Sequence, residues 1–158
     1  MPIYVEWEGI KGDVTAEGYQ GQIHVNSAQF GIGRGIGSPM GGSADRESSA
    51  PSISEMVVTK SMDVASVGLF EASLYGEGKK VTINFCKTDK DKLETYLKYE
   101  LQEVLVSGYS VSSGGDMPQE SISLNFTKIM MTVTPQGSLN ETGSAQPSGW
   151  DLGAQKKM

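Results

Sequence analysis

The stretch Phe30–Gly37, FGIGRGIG, alternates glycine with other residues, a composition suited to a loop whose backbone N–H groups cradle phosphate. Spacing excludes that chemistry. A dinucleotide fingerprint needs G-x-G-x-x-G, so that a tight turn, a close backbone approach and a helix start follow in order. Counted from Gly31 the last position is Ile36, from Gly33 it is Ser38, and from Gly35 it is Met40. No G-x-x-x-x-G-K-[S/T] occurs either, because Gly78-Lys79-Lys80 lacks both the upstream glycine and the hydroxyl. The following segment, SEMVVTKSM, has the pattern of a strand and offers no helix N-terminus to an anion.

The remaining reactive residue types are sparse. His24 is the sole histidine and Cys86 the sole cysteine, so no standard zinc site assembles and no internal disulfide forms. Cys86 is read as a packed or interface thiol. Glu6 and Glu8 share one face of a strand as paired carboxylates would, but nothing supplies an opposing acid, and a solvated face accounts for them. Asn125-Phe126-Thr127 and Asn140-Glu141-Thr142 match a glycosylation sequon without a secretory signal to support its use. No catalytic set, metal site or cofactor is expected.

The elements that would position any site are mostly strands. Glycine occurs 20 times in 158 residues, which favours many short strands joined by turns in one domain, residues 1–158. A net charge of −6 disfavours nucleic acid and anionic membrane surfaces as partners. No apolar run reaches the ~20 residues of a membrane-spanning helix, so no membrane insertion is expected. Residues 3–8 alternate as a half-buried strand, QIHVNSAQF reads as a second, and Ser54–Met62 as a third. Between the last two lies an extended loop from Gly31 to Ser52. Asp63 or Ser66 can cap a helix over VASVGLFEASLY, with Gly76 at its C′ position. Val67, Phe70 and Leu74 form its stripe, flanked by Ala65, Leu69 and Ala72, and this face is expected to lie on a sheet.

Two later strands carry phase slips. Leu97, Tyr99 and Leu101 are apolar at odd positions, whereas Val104 and Val106 are even. Ile122, Leu124 and Phe126 are even, whereas Ile129, Met131 and Val133 are odd. A slip of one residue moves the buried set to the other face unless the strand bends or bulges, or is buried on both faces. Long bent strands belong to barrels and orthogonal sandwiches. Residues 136–158 are turn-rich and poorly apolar; only GWDL, with Trp150, offers an anchor, and the rest is expected to be flexible.

Several stretches, in this order, resemble the haemolysin-coregulated protein (Hcp) family of bacterial type VI secretion: VVTKSMDVASVGLFEASLYGEGKKVTINFCKT, YELQEVLVSGYSVSSGGD, ESISLNFTKIMMTVTPQ and a late GW before a polar tail. The resemblance runs from Glu55 to Trp150, and the N-terminal strands match by pattern only. It implies a mainly β fold, a two-sheet barrel or sandwich with one helix. It also implies homohexameric rings stacked into a hollow tube, driven outward by a contractile sheath, tipped by a spike protein, and carrying effector proteins in the lumen. Such a chain resides in the bacterial cytoplasm before firing and is then secreted without a cleaved signal. The family's loop between strands two and three contacts the next ring, which assigns Gly31–Ser52 to stacking. Arg34, Asp45, Arg46 and Glu47 would make its polar contacts, and Ile36 and Met40 its apolar ones; a merely disordered loop is the other reading. The turn holding Ser112, Ser113 and Asp116 falls where the family faces the lumen. Many members carry a small hydroxyl where Asp116 stands, so effector preference does not carry over, and a plain surface turn stays open. A monomeric β-barrel module binding a glycan or small ligand is the alternative function, and an enzyme the third.

Overall fold

The computed structural model describes residues 1–37, 48–135 and 144–158. Alternating strands β1 (Ile3–Trp7), β2 (Ile23–Val25) and β7 (Lys79–Asp89) form one side of a first sheet, and Val5, Ile23 and Ile83 drive it into the core. The sheet continues through the first half of β8 (Lys92–Ser112), β10 (Lys128–Val133), β11 (Gln146–Asp151) and β12 (Lys156–Lys157), in the order β12-β11-β10-β8-β7-β1-β2. A second sheet, β3-β6-β9-β8, joins β3 (Ser27–Gln29), β6 (Met56–Ser61), β9 (Gln119–Asn125) and the second half of β8. The two sheets share β8 and form a sandwich over a single apolar cluster. Two short strands, β4 (Ile32–Gly33) and β5 (Ser52–Ile53), pair apart from both, and one helix, α1 (Ser66–Tyr75), packs on β8.

Both phase slips have a structural cause. At the first, Glu103 takes a left-handed φ of +54°, and the register against β7 jumps between Lys79/Val104 and Val81/Leu101. This bulge keeps Leu101 and Val104 both buried and turns β8 from one sheet into the other. Up to Gln102 the strand pairs with β10, and from Leu105 it pairs with β9. At the second slip the chain itself changes sheet. β9 ends at Asn125, Phe126 plugs the corner, and β10 starts at Lys128. The expected single strand is therefore two. The corner is tied by Thr127, whose N–H donates to the Gln102 carbonyl (3.1 Å) and whose hydroxyl donates to the Glu103 carboxylate (2.7 Å). The expected strand over QIHVNSAQF also divides, at Asn26, into β2 in the first sheet and β3 in the second.

The helix is neither capped nor oriented as expected. Its N-cap is Ala65, without a side-chain cap bond; just before it, Asp63 Oδ1 accepts from the Ala65 N–H (2.9 Å) and the Asp63 N–H donates to Ser66 Oγ (3.0 Å), which ties the turn leading into the helix. Gly76 is extended (φ −66°, ψ 152°), not left-handed; glycine is required because a Cβ would sit 2.7 Å from the Ala72 carbonyl oxygen. The stripe Val67–Phe70–Leu74 faces outward, with Val67 67% and Leu74 64% exposed, and the buried face is Ala65, Ser66 and Leu69. Successive helical residues differ by about 100°, and burial of Ser66 turns the other apolar flank inward.

The C-terminal stretch expected as a flexible tail carries β11 and β12 within residues 144–158. Trp150 stands opposite Ile129 and packs on the core, as the GWDL anchor anticipates. The remaining pairing is main-chain hydrogen bonding, which has no apolar signature.

One turn is sterically closed to any side chain. Gly12 donates its N–H to the Gly21 carbonyl (2.8 Å), and a Cβ there would lie 2.3 Å from the Gln22 carbonyl oxygen. Gly12→Ala is expected to cost about 2–3 kcal/mol, read as a lower urea midpoint at unchanged slope.

Candidate assembly interface

Strand alternation gives the second sheet two unlike faces. Met56, Val58, Ile122 and Leu124 point into the core. Thr59, Ser61, Ser121 and Ser123 occupy the opposite phase, and Ser110 stands opposite Ser121. Hydroxyls and amides on this bare face bond one another: Ser27 with Thr59 (2.5 Å), Gln119 Nε2 to Ser61 Oγ (3.0 Å), and Asn26 Nδ2 to Gln119 Oε1 (3.3 Å). The charged residues within these strands, Lys60 and Glu120, both point inward. Past the strand ends stand the charges of Glu55, which accepts from the Ser107 hydroxyl, and of Asp116.

Behind the bare face lies a buried polar group that the sequence reading missed. Lys60 and Glu120 are each 1% exposed. Lys60 Nζ lies 2.5 Å from Glu120 Oε1 and 2.9 Å from Asp63 Oδ1, and Ser66 Oγ donates to Glu120 Oε1 (2.8 Å). The Tyr109 hydroxyl donates to Glu120 Oε2. Burial acts to raise the Glu120 pKa, but the bonds from Lys60, Tyr109 and Ser66 prevail and the net direction is down. Burial, with Glu120 adding, pushes the Tyr109 hydroxyl up to about 12. The group clamps α1 to β6, β8 and β9. Its signal was present in the sequence: Lys60 shares the phase of Met56 and Val58, and Glu120 that of Ile122 and Leu124.

The edges of the second sheet are open. Among the described residues β3 pairs with β6 alone, and Leu105–Ser112 of β8 with β9 alone. An uncovered edge is a template for another chain. Beside the β8 edge, α1 presents Val67, Phe70 and Leu74 to solvent.

The predicted loop forms an arm where it is described. The Gly31 N–H donates to Ser54 Oγ (2.7 Å), Ile32 pairs with Ile53, the Ser49 N–H donates to the Gly35 carbonyl (2.8 Å), and Ile36 bridges Ser48. Arg34 and Ile36 lie exposed on it. Met40, Asp45, Arg46 and Glu47 fall outside the described residues. Ser112 ends β8, Ser113 Oγ donates to the Asp116 carbonyl (2.9 Å), and Gly115 turns there with φ +110°. These three candidates thus sit together at the opposite end of the second sheet from the arm. Elsewhere, His24 is exposed with its ring edge-on to Tyr4 (6.0 Å), Cys86 is buried, and the Glu8 carboxylate accepts from the Lys80 N–H (3.0 Å). No three His, Cys, Asp or Glu side chains among the described residues gather as a metal site, and no helix there is long and apolar enough to cross a membrane.

Known proteins share this arrangement. No curated protein matches the chain. Among solved structures, one described as a type six secretion system protein is 28% identical with a TM-score of 0.91, covering 99% of both chains. Hcp1 from Salmonella typhimurium superimposes with a TM-score of 0.77 at 20% identity, over 99% of this chain and 98% of its own. A type VI secretion system effector from Yersinia pestis gives 0.74 at 18% identity, over 94% and 98%. The family model described as "Type VI secretion system effector, Hcp" matches residues 4–133. With a family match over most of its length and a fold shared from end to end, the chain belongs to the Hcp family of type VI secretion tube proteins.

Proposed function

We propose that six copies of this chain close into a ring and that rings stack into the inner tube of a type VI secretion machine. The observation that carries this reading is the second sheet, whose four strands leave both edges unpaired among the described residues. β3 of one copy pairs with the Leu105–Ser112 edge of the next, and the outward stripe of α1 beside that edge is covered by the same neighbour. Six four-stranded sheets give a continuous sheet of 24 strands. At about 4.8 Å per strand its circumference is about 115 Å and its diameter, backbone to backbone, about 37 Å. That cylinder is too narrow inside for six helices and six larger sheets, so the bare hydroxyl face lines it. Effector proteins travel against this uncharged wall, and Ser112, Ser113 and Asp116 stand at one mouth. The tube carries a spike at its tip and is driven by a contractile sheath, so the chain passes from the bacterial cytoplasm to the exterior. The role is geometric, without catalysis or cofactor.

Light-scattering mass measurement with negative-stain imaging tests the ring. Six copies of 16.9 kDa give about 101 kDa. A species that stays at 16.9 kDa at high concentration overturns the reading and returns the chain to the monomeric binding module.

A further inference from the structure

Helix α1 buries the smaller of its two apolar flanks. Ala65 and Leu69 are each 1% exposed, whereas Val67, Phe70 (52%) and Leu74 lie mainly in solvent. Burial is favourable in proportion to the apolar area removed from water, so three large side chains outweigh an alanine and a leucine. Under that force alone the helix would turn about its axis by roughly a third of a revolution and lay the stripe on its own sheet. A helix of 10 residues holds little shape by itself, and its N-cap, Ala65, makes no side-chain bond.

What opposes the turn is polar. Ser66 Oγ donates to Glu120 Oε1 (2.8 Å) and accepts from the Asp63 N–H (3.0 Å) and from Lys60 Nζ (3.4 Å), so the hydroxyl is fully engaged. Lys60 Nζ is held in turn by Glu120 and Asp63. The other Glu120 oxygen accepts from the Tyr109 hydroxyl, and the Tyr109 ring meets Phe70 edge to face at 6.4 Å. Turning the helix would carry Ser66 away and leave a buried carboxylate and a buried ammonium short of partners, which is costly.

We propose that Lys60, Glu120 and Ser66 act as a latch that keeps the Val67–Phe70–Leu74 stripe turned outward, available to the next subunit of the ring. They are positioning residues, since all three are buried and none reaches the surface a neighbour would cover. What the stripe meets rests on the ring reading above; the pose of the helix belongs to the single subunit. Directional bonds can select one flank, whereas apolar contact is non-directional. Methionine at 60 and leucine at 120 would fill similar space and hold either flank, so the larger one would win.

Two variants, K60M/E120L and S66A, test the latch. Ring formation is followed by light-scattering mass. Exposure of the stripe is followed by maleimide labelling of a V67C reporter, at dilutions where the mass is that of one chain; buried Cys86 does not compete for the reagent. Both variants are expected to keep a cooperative urea transition while the concentration for half ring formation rises about a hundredfold in K60M/E120L and about tenfold in S66A. Labelling of V67C should slow about tenfold and about threefold respectively, as the outward pose loses population. Alanine is the better helix former, so a serine that merely supported the fold would leave both readouts of S66A at the parental level. Parental rings, or a parental labelling rate, in K60M/E120L overturn the proposal; should that variant fail to fold, the same results in S66A do so. A parent that forms no rings overturns the ring reading but leaves the labelling comparison standing, so the two failures are distinguishable.

Discussion

Lys60→Met is expected to cost about 3–5 kcal/mol of folding free energy, measured by urea denaturation of the isolated subunit or ring. The cost comes from what is left behind. Glu120 is 1% exposed and keeps its carboxylate between β6, β9 and α1, where the Tyr109 and Ser66 hydroxyls still hydrogen-bond it but leave its charge uncompensated. Asp63 loses its ion pair as well, although it is nearer the surface and still bonds the Ala65 N–H. Glu120→Leu is expected to cost less, because the Lys60 ammonium keeps its ion pair with Asp63 (2.9 Å). The double variant Lys60→Met/Glu120→Leu should recover most of the loss, since a buried pair replaced whole by apolar residues of like volume is often neutral. A double variant no better than either single would show that the charges do not act as a pair.

The same group predicts the acid limb of stability. The folded-state Glu120 pKa lies below its ordinary 4.5. A depressed carboxylate contributes stability that is fully present above the unfolded pKa and is lost as pH falls through the folded value. Stability of the parent should therefore decline below about pH 4.5, and this component should be missing from the double variant. At the alkaline end the sign reverses. Tyr109, raised to about 12, favours the folded state below its ordinary 10.0, and that contribution is lost as pH rises from 10 toward 12.

Much of the fold was readable because strands betray themselves by period. The phase change after Glu103 located a bulge, and the change between Phe126 and Ile129 located a corner, although period alone did not show that the second corner separates two strands. The order of elements from Glu55 to Trp150 carried the family. What stayed hidden depended on partners distant in the chain. β11 is built from Gln-Pro-Ser-Gly-Trp-Asp, whose pairing with β10 is main-chain and leaves no apolar trace. The helix carries apolar residues on two flanks, so the stripe alone could not decide which faces in; the bond from Ser66 to a glutamate 54 residues away decides it. At the site, Lys60 and Glu120 share the phase of buried neighbours, yet charge within a strand ordinarily means surface, so period alone does not assign them to the core. The open edges of β3 and β8 were not legible at all, since an unpaired edge is defined only once every other strand has found its neighbour.

The rotation of α1 leads to the last expectation. Val67→Glu with Leu74→Glu should convert rings to folded monomers of 16.9 kDa. Both side chains are about two-thirds exposed in the subunit, so the substitutions remove no core contact and should leave the monomer's thermal midpoint within a degree or two. At the ring interface each would bury a side chain worth roughly 1.5–3 kcal/mol, and its replacement by an unpaired carboxylate adds a desolvation cost. Two such changes amount to at least about 4 kcal/mol per contact, or about a thousandfold in association, repeated around the ring. Leu69→Glu serves as the contrast: it lies on the buried flank one residue from Phe70 and should unfold the subunit outright. A hexamer that survives V67E/L74E at micromolar concentration would mean that the stripe faces solvent, or the sheath, in the assembled tube and that β3–β8 edge pairing alone closes the ring.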